Sequence, residues 1–286
     1  MDFLKIIYRG FNKKNKVYVF NDRIINNPVI LSILRVRDEE LIIQDTLDHL
    51  SSFCNAIVCY DDDSNDNTFR ILKNHKRVIA IIRNLKWLSK PEERIQEETN
   101  HRLSLLNLAK TFRPKWIFCA DADERYIGNI RDFVESNIFS DIDIVRISLF
   151  DAYMTENDKA PFIKGEKLMN FRKYFGPERR DIIMLWKPHD DITFVGLDSR
   201  EPVYSSDRNV VTKFNCQHYG KSLSVEHWEE TCDYYVKHFP YESYGKKWQE
   251  RKGNAIHNKS DFNRPLFEWG EKLFSNATVI HPGEIK

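Results

Sequence analysis

Continuous apolar runs recur along the first half of the chain, and each ends in a polar or charged break. Val29 to Leu34, Ala56 to Tyr60, Val78 to Ile82 and Trp116 to Ala120 are too short for lone helices and rich in β-branched and aromatic residues, so they read as buried strands. Between them lie helical stretches. One runs through Leu50 after Asp38, Glu39 and Glu40, with Asp38 placed to cap it and the two glutamates in its first turn. A short one carries Phe69, Ile71 and Leu72, with Asn65 or Asp66 at its entry, and a long amphipathic one begins near Pro91 and reaches about Thr111 before Pro114 stops it. Strands alternating with helices predict a parallel, doubly wound α/β sheet.

The pattern changes after Gly128. A helix over Ile130 to Phe139 and a strand over Asp143 to Phe150 lead into Asp151 to Arg180, an irregular, polar and aromatic stretch of the kind that makes binding loops. Short strand candidates recur at Ile182 to Leu185, Ile192 to Val195 and Val210 to Phe214. Amphipathic stretches at Val225 to His238, Tyr244 to Arg251 and Phe262 to Phe274 predict a helical cover. With no internal repeat and no Gly/Ser linker, one domain is expected over 1–286, with a nucleotide-type half at 28–128, a variable half at 129–220 and a helical part at 221–286.

Composition narrows the function classes. The 44 basic and 43 acidic side chains leave a formal net charge of +1, so no global field draws in nucleic acid and anion recognition must be local. Cys54, Cys59, Cys119, Cys216 and Cys232 are odd in number and set in apolar or helical runs, which suits reduced thiols in the cytosol. The start of the chain has apolar residues broken by Lys5 and Arg9 and lacks a signal peptide's apolar core. Lys5, Arg9, Lys13, Lys14 and Lys16 allow at most a peripheral association with an anionic membrane, and a solvated basic end explains them as well.

The chemistry concentrates where two of the strands end. After Ala120 come Asp121, Ala122, Asp123 and Glu124; after Tyr60 come Asp61, Asp62 and Asp63. Carboxyl ends of strands are where open α/β sheets bind ligands, and crowded carboxylates call for a hard cation or a hydrogen-bond network. Asp61, Asp63 and Asn65 match the opening of a calcium loop, but Asp66 replaces its glycine and Leu72 its closing glutamate, which excludes an EF-hand. A haloacid dehalogenase-type phosphatase wants Thr or Val soon after the second Asp, where this chain has Glu124 and Arg125. Glycine-rich phosphate loops are missing, and the cysteine spacing fits no zinc finger.

Arg35 to Glu40 after the first strand, then YDDDSNDNT at Tyr60 to Thr68, then WIFCADADE at Trp116 to Glu124, resemble family-2 glycosyltransferases of the GT-A fold, over about Val29 to Tyr126. The resemblance implies a mostly parallel GT-A sheet, a nucleotide-sugar donor (UDP- or GDP-sugar) and Mn2+ or Mg2+. Arg35, Arg37, Glu39, Asp61 and Asp63 would line the donor site, with Asp61 favoured over Asp63, which stands where glycine is common. Arg102 resembles the family's basic residue near the nucleotide. Asp121, Ala122 and Asp123 form the Asp-X-Asp motif, with Asp121 on the ribose or metal and Asp123 on the metal. His218, in the run CQHYG, resembles a late metal-ligating histidine. The implied reaction is inverting transfer to a hydroxyl of a glycan or lipid-linked acceptor, with a general base among Asp190, Asp191, Asp198 and Glu201, Glu201 leading because it precedes Pro202 as a late glutamate does in related transferases. Trp186 is a candidate sugar-stacking platform. Two other classes compete, a metal-dependent phosphohydrolase of nucleotides or sugar phosphates and a non-catalytic sugar-nucleotide binder.

Overall fold

A computed structural model describes residues 14–280 except 137 and 139. Lys5, Arg9, Lys13 and Phe139 therefore lie outside the described residues. The protein is mixed α/β, built on one large sheet in the order β1-β4-β3-β2-β5-β8-β7-β9-β6. Its parallel block holds β2 (Ile30–Val36), β3 (Ala56–Asp61), β4 (Val78–Asn84) and β5 (Trp116–Ala120), with β1 (Asn15–Val19) antiparallel on the outer edge of β4.

These strands are apolar on both sides because helices cover both faces. Ile30 and Leu34 point to the side of α1 (Ile43–Ser51) and α2 (Thr68–Asn74), where they pack with Leu47, Leu50 and Leu72. Leu31 and Ile33, one position out of phase, point to the side of α3 (Pro91–Thr111) and meet Leu105, Leu106 and Ala109. Each such buried aliphatic side chain contributes about 1.5–3 kcal/mol relative to exposure. Pro91 sits in the first turn of α3, where its missing N–H costs nothing.

Helix α1 starts later than its acidic lead-in predicts. Asp38 takes a left-handed φ of 51° and does not cap it; the cap position is Ile42. The Asp38 carboxylate instead accepts the Asn65 N–H at 2.7 Å, and Glu40 accepts the Asn67 N–H at 2.7 Å. The acids after β2 thus clasp the acidic turn after β3.

The order of the strands places a reversal in the middle of the block. From β2 the chain runs outward to β3 and β4, then returns across to β5 on the other side of β2. The gap between the carboxyl ends of β2 and β5 is therefore the topological switch point. Beyond β5 the pairings mix. β6 (Glu124–Ile127) and α4 (Ile130–Glu135) precede β7 (Ile144–Tyr153), β8 (Tyr174–Trp186) and β9 (Val210–His218). β8 runs antiparallel to both β5 and β7, β9 parallel to β7, and β6 antiparallel to β9 with Glu124 opposite His218. That register carries His218 from far downstream in the chain to the Asp-X-Asp exit.

Several sequence expectations are corrected. The irregular stretch is shorter than Asp151 to Arg180, because β7 runs on to Tyr153 and β8 begins at Tyr174. Ile192 to Val195 is no strand; it makes one isolated bridge, Thr193 to Val203, while Ile192 and Phe194 bury themselves against Trp186 and α3. The C-terminal part is α5 (Val225–His238), a π turn at Tyr241–Gly245 and α6 (Lys246–Arg251), but Phe262 to Phe274 is not a helix. Asn263 at φ 61°, Pro265 and Gly270 at φ 144° interrupt it, leaving β10 (Phe267–Glu268), α7 (Glu271–Ser275) and β11 (Thr278–Val279), with both strands paired to β8. No helix among the described residues is long and apolar enough to cross a membrane.

Candidate active site

The acidic turn after β3 is held from three directions. Asp62 is fully buried and receives Asn84 at 2.8 Å, Arg94 of α3 at 2.9 Å and Arg35 of β2 at 3.3 Å. Arg35 also donates to Glu98 at 2.6 Å and to His101 at 3.2 Å. Burial raises the pKa of Asp62, but His101, Arg35 and Arg94 outweigh it and the net shift is downward. Arg37 donates to the carbonyls of Asp62 (2.6 Å) and Asp63 (2.9 Å) and lays its guanidinium 4.3 Å from the centre of the Trp87 ring. Asp63 takes φ 58°, the conformation that glycine would supply, and accepts the Trp87 N–H at 3.1 Å. Asp61 closes the strand, fully buried, with Arg83 Nε 3.4 Å away; burial raises its pKa. Arg35, Arg37 and Asp63 thus spend their polar groups on shaping this turn.

The second exit is built differently. Asp121 follows β5 and sits between Arg102 of α3 (3.1 Å) and Arg200 (2.8 Å). Burial works against its charge, yet these two guanidiniums hold its carboxyl well below the usual carboxylate range. Arg200 also donates to Glu124 at 2.9 Å, and Glu124 takes the Tyr126 hydroxyl at 2.5 Å and the Asp121 N–H at 3.0 Å. Ala122 is buried and offers its carbonyl to Thr46 (2.6 Å) and Arg125 (3.0 Å). Asp123 stands apart from the arginines. Its carboxylate lies 3.3 Å from His218 Nε2, and its carbonyl accepts the Tyr219 N–H at 2.9 Å.

His218 is gripped on its other nitrogen by Asp151, at 2.6 Å. Burial disfavours the imidazolium, but Asp123 and Asp151 outweigh it and push His218 up to about 10. Gly220 keeps this corner open: a methyl there would stand 2.5 Å from Asp123 Oδ2 and 3.0 Å from His218 Nε2. In the loop after β2, burial and then the charges of Asp123 and Asp121 raise the pKa of Glu39. Among the described residues no group of three or more His, Cys, Asp or Glu side chains is arranged to hold a metal ion.

Of the carboxylates in the 190–201 segment, one reaches this region. Asp191 is tied to Arg208 at 2.5 Å and to Ser205, and Asp190 is exposed. Glu201 accepts from Arg146 at 2.8 Å and from the Ile183 N–H at 2.9 Å, so it clasps β7 to β8. Asp198 takes a left-handed φ of 50°, accepts the Tyr244 hydroxyl at 2.5 Å, and has its pKa raised by burial. The Tyr244 ring that reaches Asp198 stacks on Tyr235, with ring centres 6.5 Å apart.

Tyr235 belongs to a cleft of ≈ 950 Å3 whose walls include Asp123, His218, Gly220 and Trp248. Trp248 stacks on Tyr235, with ring centres 4.6 Å apart. Trp186 is fully buried against Phe194 and offers no face to a ligand, which removes it as a stacking platform. Sequence reasoning missed Arg200, Asp151, Tyr235 and Trp248. Arg200 stood beside the favoured Glu201, but its partner Glu124 is 76 positions away and no local pattern joins them.

No protein-family model matches the chain. Over 94 residues, 33% of the chain, it is 34% identical to an uncharacterized protein of Mycobacterium bovis and to one of Mycobacterium tuberculosis, and it spans 23% of the length of each. Among solved structures, glucosyl-3-phosphoglycerate synthase from Mycobacterium tuberculosis, in complex with Mn2+, UDP and glucosyl-3-phosphoglycerate, is similar at 15% identity over 43% of this chain and 44% of that one, with a TM-score of 0.29. A further mycobacterial protein is similar at 13% identity over 50% and 52%, with a TM-score of 0.30. Likenesses at these TM-scores carry no argument about fold or function, and the site has to speak for itself.

Proposed function

We propose that the protein is a metal-dependent, inverting glycosyltransferase that moves a sugar from a nucleotide-sugar donor to a hydroxyl of a glycan or lipid-linked acceptor. The observation that carries this reading is the Asp-X-Asp exit of β5 beside the switch point between β2 and β5, where Asp123 and His218 together line a cleft. Carboxylates at the end of a strand where such sheets bind ligands suit a cation-bridged diphosphate. Asp123 and His218 supply a carboxylate oxygen and an imidazole nitrogen facing one another across 3.3 Å, a pair of donors that fits manganese better than magnesium, which prefers oxygen alone. A divalent ion held there would neutralise charge on the leaving diphosphate.

The chain's own residues do the rest. Arg102 and Arg200 keep Asp121 charged and fixed, ready to accept hydrogen bonds from a ribose. Asp198, in place of Glu201, takes the proton from the acceptor hydroxyl as that oxygen attacks the anomeric carbon. The carbon–oxygen bond to the diphosphate breaks, and the leaving group keeps the electron pair. A carboxylate with a burial-raised pKa is better matched to proton abstraction near neutral pH than one locked in an ion pair.

The test is a panel of UDP, GDP, CMP and dTDP sugars with and without manganese, read by thermal shift and then by nucleotide release with candidate acceptors. Stabilisation by one donor class that needs manganese and is reversed by EDTA is expected. Equal binding with and without chelator would remove the metal from the scheme. Phosphate release without any acceptor would replace the transferase by a phosphohydrolase.

A further inference from the structure

The cleft beside Asp123 and His218 holds more positive than negative side chains. Apart from those two, which answer each other, its charged lining is Arg180, Lys221, Lys247 and Arg251 against Asp151 and Asp261. Asp151 takes Arg180 at 2.6 Å and Lys221 at 3.5 Å. Asp261 takes Lys221 at 2.7 Å and Arg251 at 2.5 Å. Lys247 is left over: half-buried, it makes no hydrogen bond and no ion pair among the described residues.

Lys247 also sits one helical turn before Arg251 on α6, so two like charges share one helix face and repel. A cation taken partly out of water without a direct ion pair costs free energy, and burial followed by Arg251 lowers the Lys247 pKa to about 8 against the opposing pull of Asp261 and Asp151. The lining carries a surplus of two positive charges, with Lys247 unpaired and Arg251 and Lys221 sharing Asp261. A phosphate monoester, at about −1.5 to −2 near neutral pH with three acceptor oxygens, is its complement.

We propose that this end of the cleft is an anion subsite that takes a phosphate monoester of the acceptor through Lys247 and Arg251. Its assignment to the acceptor rests on the transferase reading; the anion site itself does not. Trp248 stands beside these cations, with the Arg251 guanidinium 4.9 Å from its ring.

The experiment titrates the full chain with inorganic phosphate and glycerol phosphate, with vesicles of phosphatidylcholine alone or containing phosphatidic acid, and separately with UDP and GDP in the presence of manganese. Lys247→Ala and Lys247→Arg are compared with the unaltered protein; Lys247 has no hydrogen bond or ion pair to lose among the described residues, and unchanged melting temperatures verify that the fold is kept. Lys247→Ala should weaken the phosphate probes about tenfold or more, the loss expected for a charged hydrogen bond, while Lys247→Arg restores them and nucleoside-diphosphate affinity stays the same. Lys247-dependent binding of glycerol phosphate assigns a soluble acceptor, and binding only to vesicles with phosphatidic acid assigns a lipid-borne one. The proposal is overturned if no phosphate probe binds, or if Lys247→Ala weakens the nucleoside diphosphate as much as the phosphate probes, because the cations would then serve the donor. Lys247-dependent phosphate binding with no nucleoside-diphosphate binding at all overturns the transferase reading and the assignment to an acceptor, and leaves an anion site standing.

Discussion

Asp121 and Asp123 are two positions apart and are neutralised by different chemistry. Asp121 lies between guanidiniums, which never release their protons, whereas Asp123 faces an imidazole whose proton a metal can replace. The same contrast separates the base candidates. Glu201 is consumed by Arg146 and a backbone N–H, so Glu201→Gln should lower the melting temperature while transfer per folded molecule persists. Asp198→Asn should leave donor affinity and melting temperature near their original values and cut transfer by roughly a hundred to ten thousandfold. The reverse pattern would return the base to Glu201. His218 gives a pH signature. Its folded pKa of about 10 lies above the ordinary 6.5, so its pairing with Asp123 and Asp151 contributes stability that is full below pH 6.5 and lost as the pH rises through 10. The gap in melting temperature between the metal-free protein and His218→Gln should therefore be widest below that point and close in strong alkali. A gap independent of pH would mean that the imidazole is not charged in the fold.

Helix α3 does two jobs along its length. Its C-terminal half is apolar on the inner face and seals the sheet, while its N-terminal half sends Arg94, Glu98 and His101 into the acidic turn after β3 and Arg102 to Asp121. Arg94 has no exposed side-chain surface and meets a carboxylate that has none either. Replacing it with Met leaves Asp62 short of a cation inside the protein, at a cost of about 3–5 kcal/mol, and the urea midpoint should fall with the slope of the transition unchanged. The ion pair Arg131–Glu135 on α4 is the control, where replacing the exposed Glu135 by Gln should cost about 1 kcal/mol or less. Elements covered on both faces, such as β2 and β5, were legible as apolar runs. Ile192 to Val195 read the same way and is not a strand, because burial against α3 and Trp186 needs apolar side chains but no ladder.

At the scale of the whole molecule, the sequence by itself determined the parallel block, the helices between its strands and the two acidic exits, because local runs of apolar residues and their polar stops are written in neighbouring positions. It also placed Asp121, Asp123 and His218 in one hypothesis through a resemblance of motifs. The tertiary structure decided which polar groups remain available. Arg35, Arg37 and Asp63 close on the turn they follow or form, and Glu201 closes on β7 and β8. Asp198 accepts from Tyr244, whose ring stacks on Tyr235, and Arg200 reaches Asp121 from another strand's loop. The pairing of β9 with β6 set His218 opposite Glu124, and the packing of α6 gave Asp261 to Arg251 and left Lys247 without an ion pair among the described residues. Such outcomes depend on contacts between residues far apart in the chain. A charged side chain has the same identity whether it shapes a loop or waits for a ligand, and only the neighbours that folding supplies tell the two apart.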